Sequence, residues 1–183
     1  MPLKDVFKAI SEMFEHEKAD YAVIGAFALY AYGYVRATKD IDFVTRIEFQ
    51  KKAVRYLESL GFKTTYCSEA FSNHVHPIGT MHIDVMYLEK DTADTIFRKT
   101  ERRVLFEDVK IPVVSAEHLV AMKLFAAKHN ERRRLKDLAD IKEIIATVDI
   151  DKKIVQDYFK HFGLESYYNK IEGNEDESRQ PSI

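Results

Sequence analysis

A single cysteine, Cys67, among 183 residues excludes an internal disulfide framework and a cysteine-rich zinc site. Charge of one sign is missing too: the formal net charge is −2, so any basic site has to be local. No apolar run approaches the ~20 residues that span a bilayer. The opening residues, MPLKDVFKAI, carry no apolar signal segment, and the expected setting is the reducing cytoplasm. No internal repeat is visible. What remains is an ordinary globular composition, 46% hydrophobic and 32% charged. The length favours one domain, or one domain with a small appendage, and is enough to bury a core.

Residues 3–17 are expected to form an amphipathic helix, since Leu3, Val6, Phe7, Ile10, Met13 and Phe14 recur at helical spacing. Tyr21–Ile24 is continuously apolar and reads as a buried strand that stops at Gly25. A short helix over 26–34 follows, with Ala26, Ala28 and Ala31 permitting close approach to a sheet. Ile41–Val44 is the next strand, and a second amphipathic helix over 47–60 ends at Gly61. The period then changes. Phe62–Cys67 reads as a strand, Ser68 to Thr80 as a turn-rich segment, Met81–Leu88 as a strand and 91–103 as a helix with Asp91 as its N-cap. Two short strands, 104–106 and 109–114, flank Glu107-Asp108. Helices over 115–128, 132–147 and 151–161 close the chain. The expected architecture is α/β, an α+β mixed sheet with surface helices over 1–114. A helical region over 115–171 and a disordered acidic tail over 172–183 complete it.

The chemistry concentrates in three acids. In Asp40-Ile41-Asp42-Phe43-Val44 the two carboxylates share one strand face, about 7 Å apart, while Ile41 and Phe43 share the other. Such a pair suits a hard divalent cation such as Mg²⁺. In Met81-His82-Ile83-Asp84-Val85-Met86, Asp84 lies on the face of His82 and Met86. Taken alone, Asp84 reads as an edge-strand residue facing water. Alongside Asp40 and Asp42 it completes the set of carboxylates used for two-metal, in-line phosphoryl or nucleotidyl transfer.

These elements resemble the nucleotidyltransferase fold superfamily: a strand, a glycine turn, a short helix, an Asp-x-Asp strand and a later single Asp. Gly25-Ala26-x-Ala28-Leu29 followed by Arg36-x-Thr38-x-Asp40-Ile41-Asp42 is most similar to AbiEii-like and small bacterial and archaeal members. The likeness covers residues 21–86 and extends more loosely over Val114–Ile145. It implies an enzyme that moves a nucleoside monophosphate from a nucleoside triphosphate, ATP among the candidates, to an acceptor hydroxyl, releasing pyrophosphate. It further implies two Mg²⁺ ions, with Mn²⁺ as a substitute. Asp40 and Asp42 would hold both ions and the triphosphate, and Asp84 the catalytic ion.

At Gly25 and Ala26, backbone N–H groups at a helix start can reach a phosphate. Ala26 stands where the family has Gly or Ser, so a serine hydroxyl contact is missing. Arg36 could neutralise the triphosphate or pair with Asp40 or Asp42. Thr38 shares the face of the acids if the strand begins early. Lys123, inside an apolar helix, either snorkels or reaches the triphosphate, and the second is preferred on the resemblance. Lys128 to Lys136 is a basic run that serves as a solvated helix start or a phosphate or RNA contact, with an Arg133–Asp137 pair expected. His74 and His76 are expected to be exposed, and His82 to line the site. Tyr30, Tyr32 and Tyr34 are expected to pack and not to stack a base. The acceptor stays open among tRNA, a protein hydroxyl and a small antibiotic-like alcohol, and the partner between a second copy and an antitoxin. Two rivals stand beside the enzyme: a toxin of a toxin–antitoxin pair that modifies tRNA or protein, and a degenerate module that binds a nucleotide or a partner.

Overall fold

The computed structural model describes residues 2–78, 81–106 and 109–173. The expected turn at Glu107-Asp108 and the tail from residue 174 lie outside them. The chain divides into two compact units, Met1–Ser115 and Ala116–Ile183.

The first unit runs α1 (Leu3–His16), β1 (Tyr21–Ile24), α2 (Gly25–Ala31), β2 (Asp40–Arg46), a 3-10 turn (Ile47–Phe49) and α3 (Gln50–Ser59). It continues with β3 (Lys63–Cys67), β4 (Phe71–Val75), β5 (His82–Leu88), α4 (Lys90–Phe97), β6 (Glu101–Phe106) and β7 (Val109–Val113). The strands form one seven-stranded mixed sheet in the order β3-β4-β5-β2-β1-β7-β6. β2 runs parallel to β5, and β1 parallel to β7. The other neighbours are antiparallel.

One apolar layer lies on the sheet face covered by α1 and α3. α1 buries Val6, Phe7, Ile10 and Phe14. Phe7 meets Phe43 of β2 at 5.6 Å between ring centroids. Ile10, Phe14, Ala53 and Leu57 share one apolar space with Phe43, Ile83 and Val85. α3 stops at Gly61, whose φ of +90° takes it into the left-handed region. Gly61 N–H donates to Glu58 O (3.0 Å) and Phe62 N–H to Leu57 O (3.1 Å), the paired bonds of a Schellman cap.

The structure departs from two expectations. The segment 68–80, read as turn-rich, contains β4. Its inward residues are Ser72 and His74, so it shows no apolar alternation, and strand period is invisible where the buried positions are polar. The helix expected over 91–103 ends at Phe97, and Glu101 to Arg103 already belong to β6. Arg102 there donates to Glu15 of α1 (2.7 Å) and Arg103 lies 4.2 Å over the Tyr32 ring. These charged side chains fold along the sheet edge and mask its alternation.

The second unit contains α5 (Ala116–His129), α6 (Glu131–Thr147), α7 (Lys152–Phe162) and α8 (Glu165–Ile171). Asp151 caps α7 by accepting from the backbone N–H of Lys153 and Ile154. α8 goes beyond the three helices expected. It buries Tyr168 against Phe159, with ring centroids 5.2 Å apart. Among the described residues, no helix is long and apolar enough to cross a membrane.

Candidate active site

β1 ends at Ile24, which pairs with Asp42 on β2. Gly25 then turns the chain into α2 with φ +65°. A Cβ at Gly25 would lie 2.0 Å from Asp42 Oδ2 and 2.9 Å from Asp42 Cβ. Glycine is therefore needed twice over, for the left-handed backbone and for the contact of that backbone with the carboxylate. Ala26 is 3% exposed, so its methyl is a packing group and only the backbone of this turn faces outward chemistry.

On the other side of β2, Asp42 stands in register with Asp84 of β5, and Asp40 with His82. Neighbouring strands lie ~4.8 Å apart, so Asp42 and Asp84 are side by side. Both are half-buried, and Asp40 is exposed. Ile41, Phe43, Ile83 and Val85 fill the opposite, buried face. The strand begins at Asp40. Thr38 stands just before it in a turn, its hydroxyl accepting from Asp40 N–H (3.1 Å). That bond fixes how the chain enters β2. Arg36 is half-buried in the same connection. His82 Nδ1 lies 4.0 Å from Asp40 Oδ1.

A fourth side chain joins the acids, one that the sequence pattern did not single out. Asn73 of β4 pairs with Asp84, and its amide donates to Asp84 Oδ1 at 2.5 Å. An outward polar residue between two buried polar ones was the only available signal. The row Asn73–Asp84–Asp42 thus crosses three strands and ends against Gly25.

His74 corrects an expectation: it is fully buried, not exposed. Its Nε2 lies 2.8 Å from Ser72 Oγ and its Nδ1 3.2 Å from Thr64 Oγ1. Thr64 donates to Glu58 (2.7 Å), and Ser72 Oγ lies 2.6 Å from Tyr87 OH. One set of protons satisfies the whole chain: Tyr87 donates to Ser72, Ser72 to Nε2, Nδ1–H to Thr64, and Thr64 to Glu58. Burial pushes the imidazole pKa down and the Tyr87 phenol up to about 12. His76 accepts from Ile78 N–H (3.2 Å) and packs edge-on to Phe62. Tyr32 donates to Val114 O (2.8 Å), which accords with packing.

Lys123 belongs to the second unit and does not snorkel. It is 5% exposed, and its ammonium donates to Asp140 (2.5 Å) and Asp137 (3.3 Å). Arg133 lies 3.6 Å from Asp137, as the spacing predicts. Among the described residues, no three or more His, Cys, Asp or Glu side chains gather as a metal-ligand group.

Residues 9–170 match the sequence model of a family described as uncharacterised nucleotidyltransferase. The chain belongs to this family. Solved structures agree on the nucleotidyltransferase fold. The antibiotic-resistance factor ANT(2'')-Ia superposes with a TM-score of 0.69 at 15% identity, over 93% of this chain and 95% of that one. The lincosamide antibiotic adenylyltransferase LnuA superposes with a TM-score of 0.59 at 20% identity, over 81% of this chain and 99% of that one. At these identities the likeness is one of fold. No curated protein matches the chain in sequence.

Proposed function

We propose that this nucleotidyltransferase moves a nucleoside monophosphate from a nucleoside triphosphate to an acceptor hydroxyl in a Mg²⁺-dependent reaction in the cytoplasm. One observation carries the reading: Asp42 and Asp84 stand side by side on one sheet face, both half-buried, with the Gly25 backbone against Asp42.

The donor set fits the cation. Mg²⁺ binds through one or two carboxylates, completes its shell with water and substrate phosphates, and rarely uses an all-protein cage. Asp42 and Asp84 would hold it, with Asp40 next along β2. Three acids that do not close into one group suit a cation that arrives with the triphosphate. When bound, Mg²⁺ offsets phosphate charge and polarises the oxygens that react.

This chain's own residues supply the rest. Gly25 lets backbone approach where a side chain would block. Thr38 fixes the backbone of Asp40, and Arg36 supplies a cation on the same connection. In the reaction an acceptor oxygen bonds to the α-phosphorus, the bond to the pyrophosphate oxygen breaks, and the acceptor proton passes to a carboxylate or water. Because the two structural neighbours are named for antibiotic resistance and for lincosamide adenylylation, a small alcohol is the acceptor class to test first.

The test is transfer of label from each α-labelled nucleoside triphosphate with Mg²⁺. The arms are a panel of small alcohols, total RNA, lysate protein and no acceptor, each beside an Asp42→Asn/Asp84→Asn control. Label in one arm, absent from the control, establishes the reaction and names the acceptor class. No label in any arm, together with no triphosphate binding by calorimetry, overturns the enzyme in favour of a binding module.

A further inference from the structure

We infer that Asn73 is a positioning residue for Asp84, held in register by the buried hydrogen-bond chain on the opposite face of β4. The inference rests on the reading of Asp42 and Asp84 as the cation site.

The Asn73 amide has to present its N–H₂ and not its oxygen to Asp84, because an amide oxygen at 2.5 Å from a carboxylate oxygen would be repelled. That bond occupies one oxygen of Asp84 and fixes the torsion of the other. An amide is also neutral. A lysine or arginine at this position would orient Asp84 equally well but offset the negative charge that attracts a cation. Asparagine orients the ligand and leaves its charge, which is what an outer partner of a metal-binding carboxylate has to do.

β4 is built to keep Asn73 in place. Its inward neighbours, Ser72 and His74, bond to both adjoining strands: Ser72 to Tyr87 of β5, and His74 to Thr64 of β3. A slip of one residue would turn these groups outward and bury Asn73. Apolar residues could have filled the inner positions with register set by packing alone. A chain satisfied at every member specifies one alignment, since any other leaves buried polar groups without partners. The register bonded on the inner face is the register that sets Asn73 opposite Asp84 on the outer one.

The experiment is Mn²⁺ titration by electron paramagnetic resonance, on the full chain with α,β-methylene-ATP, with folding followed by circular dichroism. Asp84→Asn serves as the reference. Asn73→Leu keeps the volume and removes the donor, and is expected to weaken Mn²⁺ binding by about tenfold without lowering the melting temperature. Asn73→Gln retains an amide and is expected to recover most of that loss. If Asn73→Leu does not fold, Asn73→Ser carries the same expectation, its hydroxyl being too short to reach. Mn²⁺ binding within about twofold of the native protein in the folded Asn73 variant, with Asp84→Asn losing it, overturns the inference and leaves the proposed function standing. A melting temperature that falls while Mn²⁺ affinity holds also overturns it, since Asn73 would then be structural. Unchanged binding in Asp84→Asn overturns the cation site itself.

Discussion

Two pairs of aspartates in this chain have opposite surroundings. Asp137 and Asp140 of α6 are 1% and 2% exposed and close around the ammonium of Lys123. Asp42 and Asp84 lie half-buried side by side on one sheet face, and Asp84 there accepts from a neutral amide. Burying carboxylates is costly unless a cation and hydrogen bonds offset it, and the second unit supplies that cation from its own sequence. In the first unit Asn73 supports Asp84 without adding a charge. The difference teaches where to look for chemistry: a carboxylate sealed around a built-in ammonium maintains a fold, while a half-buried one such as Asp84, propped by a neutral amide, keeps its charge for the cation proposed above.

Two substitutions would break this contrast if it were false. Asp42→Asn is expected to lower nucleotidyl transfer by about a thousandfold, the several kcal/mol that metal-assisted charge stabilisation provides. Its circular dichroism spectrum should match that of the native protein, so that the loss is read on folded molecules. Lys123→Met should behave the other way. It strands two buried carboxylates, at a cost of about 3–5 kcal/mol in unfolding free energy, measurable by urea titration. Triphosphate binding per folded molecule should stay unchanged. A stable Lys123→Met protein that had lost triphosphate binding would move Lys123 into the site and erase the contrast.

A smaller effect sharpens the half-buried side. Gly25→Ala forces a Cβ into the left-handed region and onto the Asp42 carboxylate. The backbone strain alone is worth about 1–2 kcal/mol. Transfer should drop beyond what that destabilisation explains, because Asp42 has to move. Equal loss of stability with full turnover per folded molecule would reduce Gly25 to an ordinary turn.

Much of the site was legible, for a reason these residues make plain. Asp40 and Asp42 alternate with Ile41 and Phe43, and Asp84 stands between Ile83 and Val85, so side-chain alternation alone puts the acids on the face opposite these apolar residues. Their adjacency needs the parallel pairing of β2 with β5, which no local pattern carries. β4 was missed because its inward residues are polar: a strand that buries Ser72 and His74 looks like a turn. Asn73 was missed with it, since its role depends on which strand lies beside it. Lys123 was noticed but its partners were not. Asp137 and Asp140 lie one helix away, and the spacing of α6 predicted only the Arg133 pair.

The finest distinction concerns His74, which extends the rule of internal satisfaction to the sheet's inner face. Burial lowers its pKa from the ordinary 6.5. In the unfolded chain the imidazole titrates near that ordinary value, so on acidification the unfolded state takes up its proton first. The contribution of His74 to stability is therefore full above pH 6.5 and is lost as the pH falls toward the depressed folded value. Protonation would also leave both ring nitrogens as donors, so Nε2 could no longer accept from Ser72 and the chain back to Tyr87 would have to reverse. Urea midpoints measured at neutral and mildly acidic pH should fall more steeply on acidification in the native protein than in His74→Gln, which keeps a polar side chain without the titration. Parallel curves would mean that the imidazole charges in place, and that register on β4 comes from packing and not from the hydrogen-bond chain.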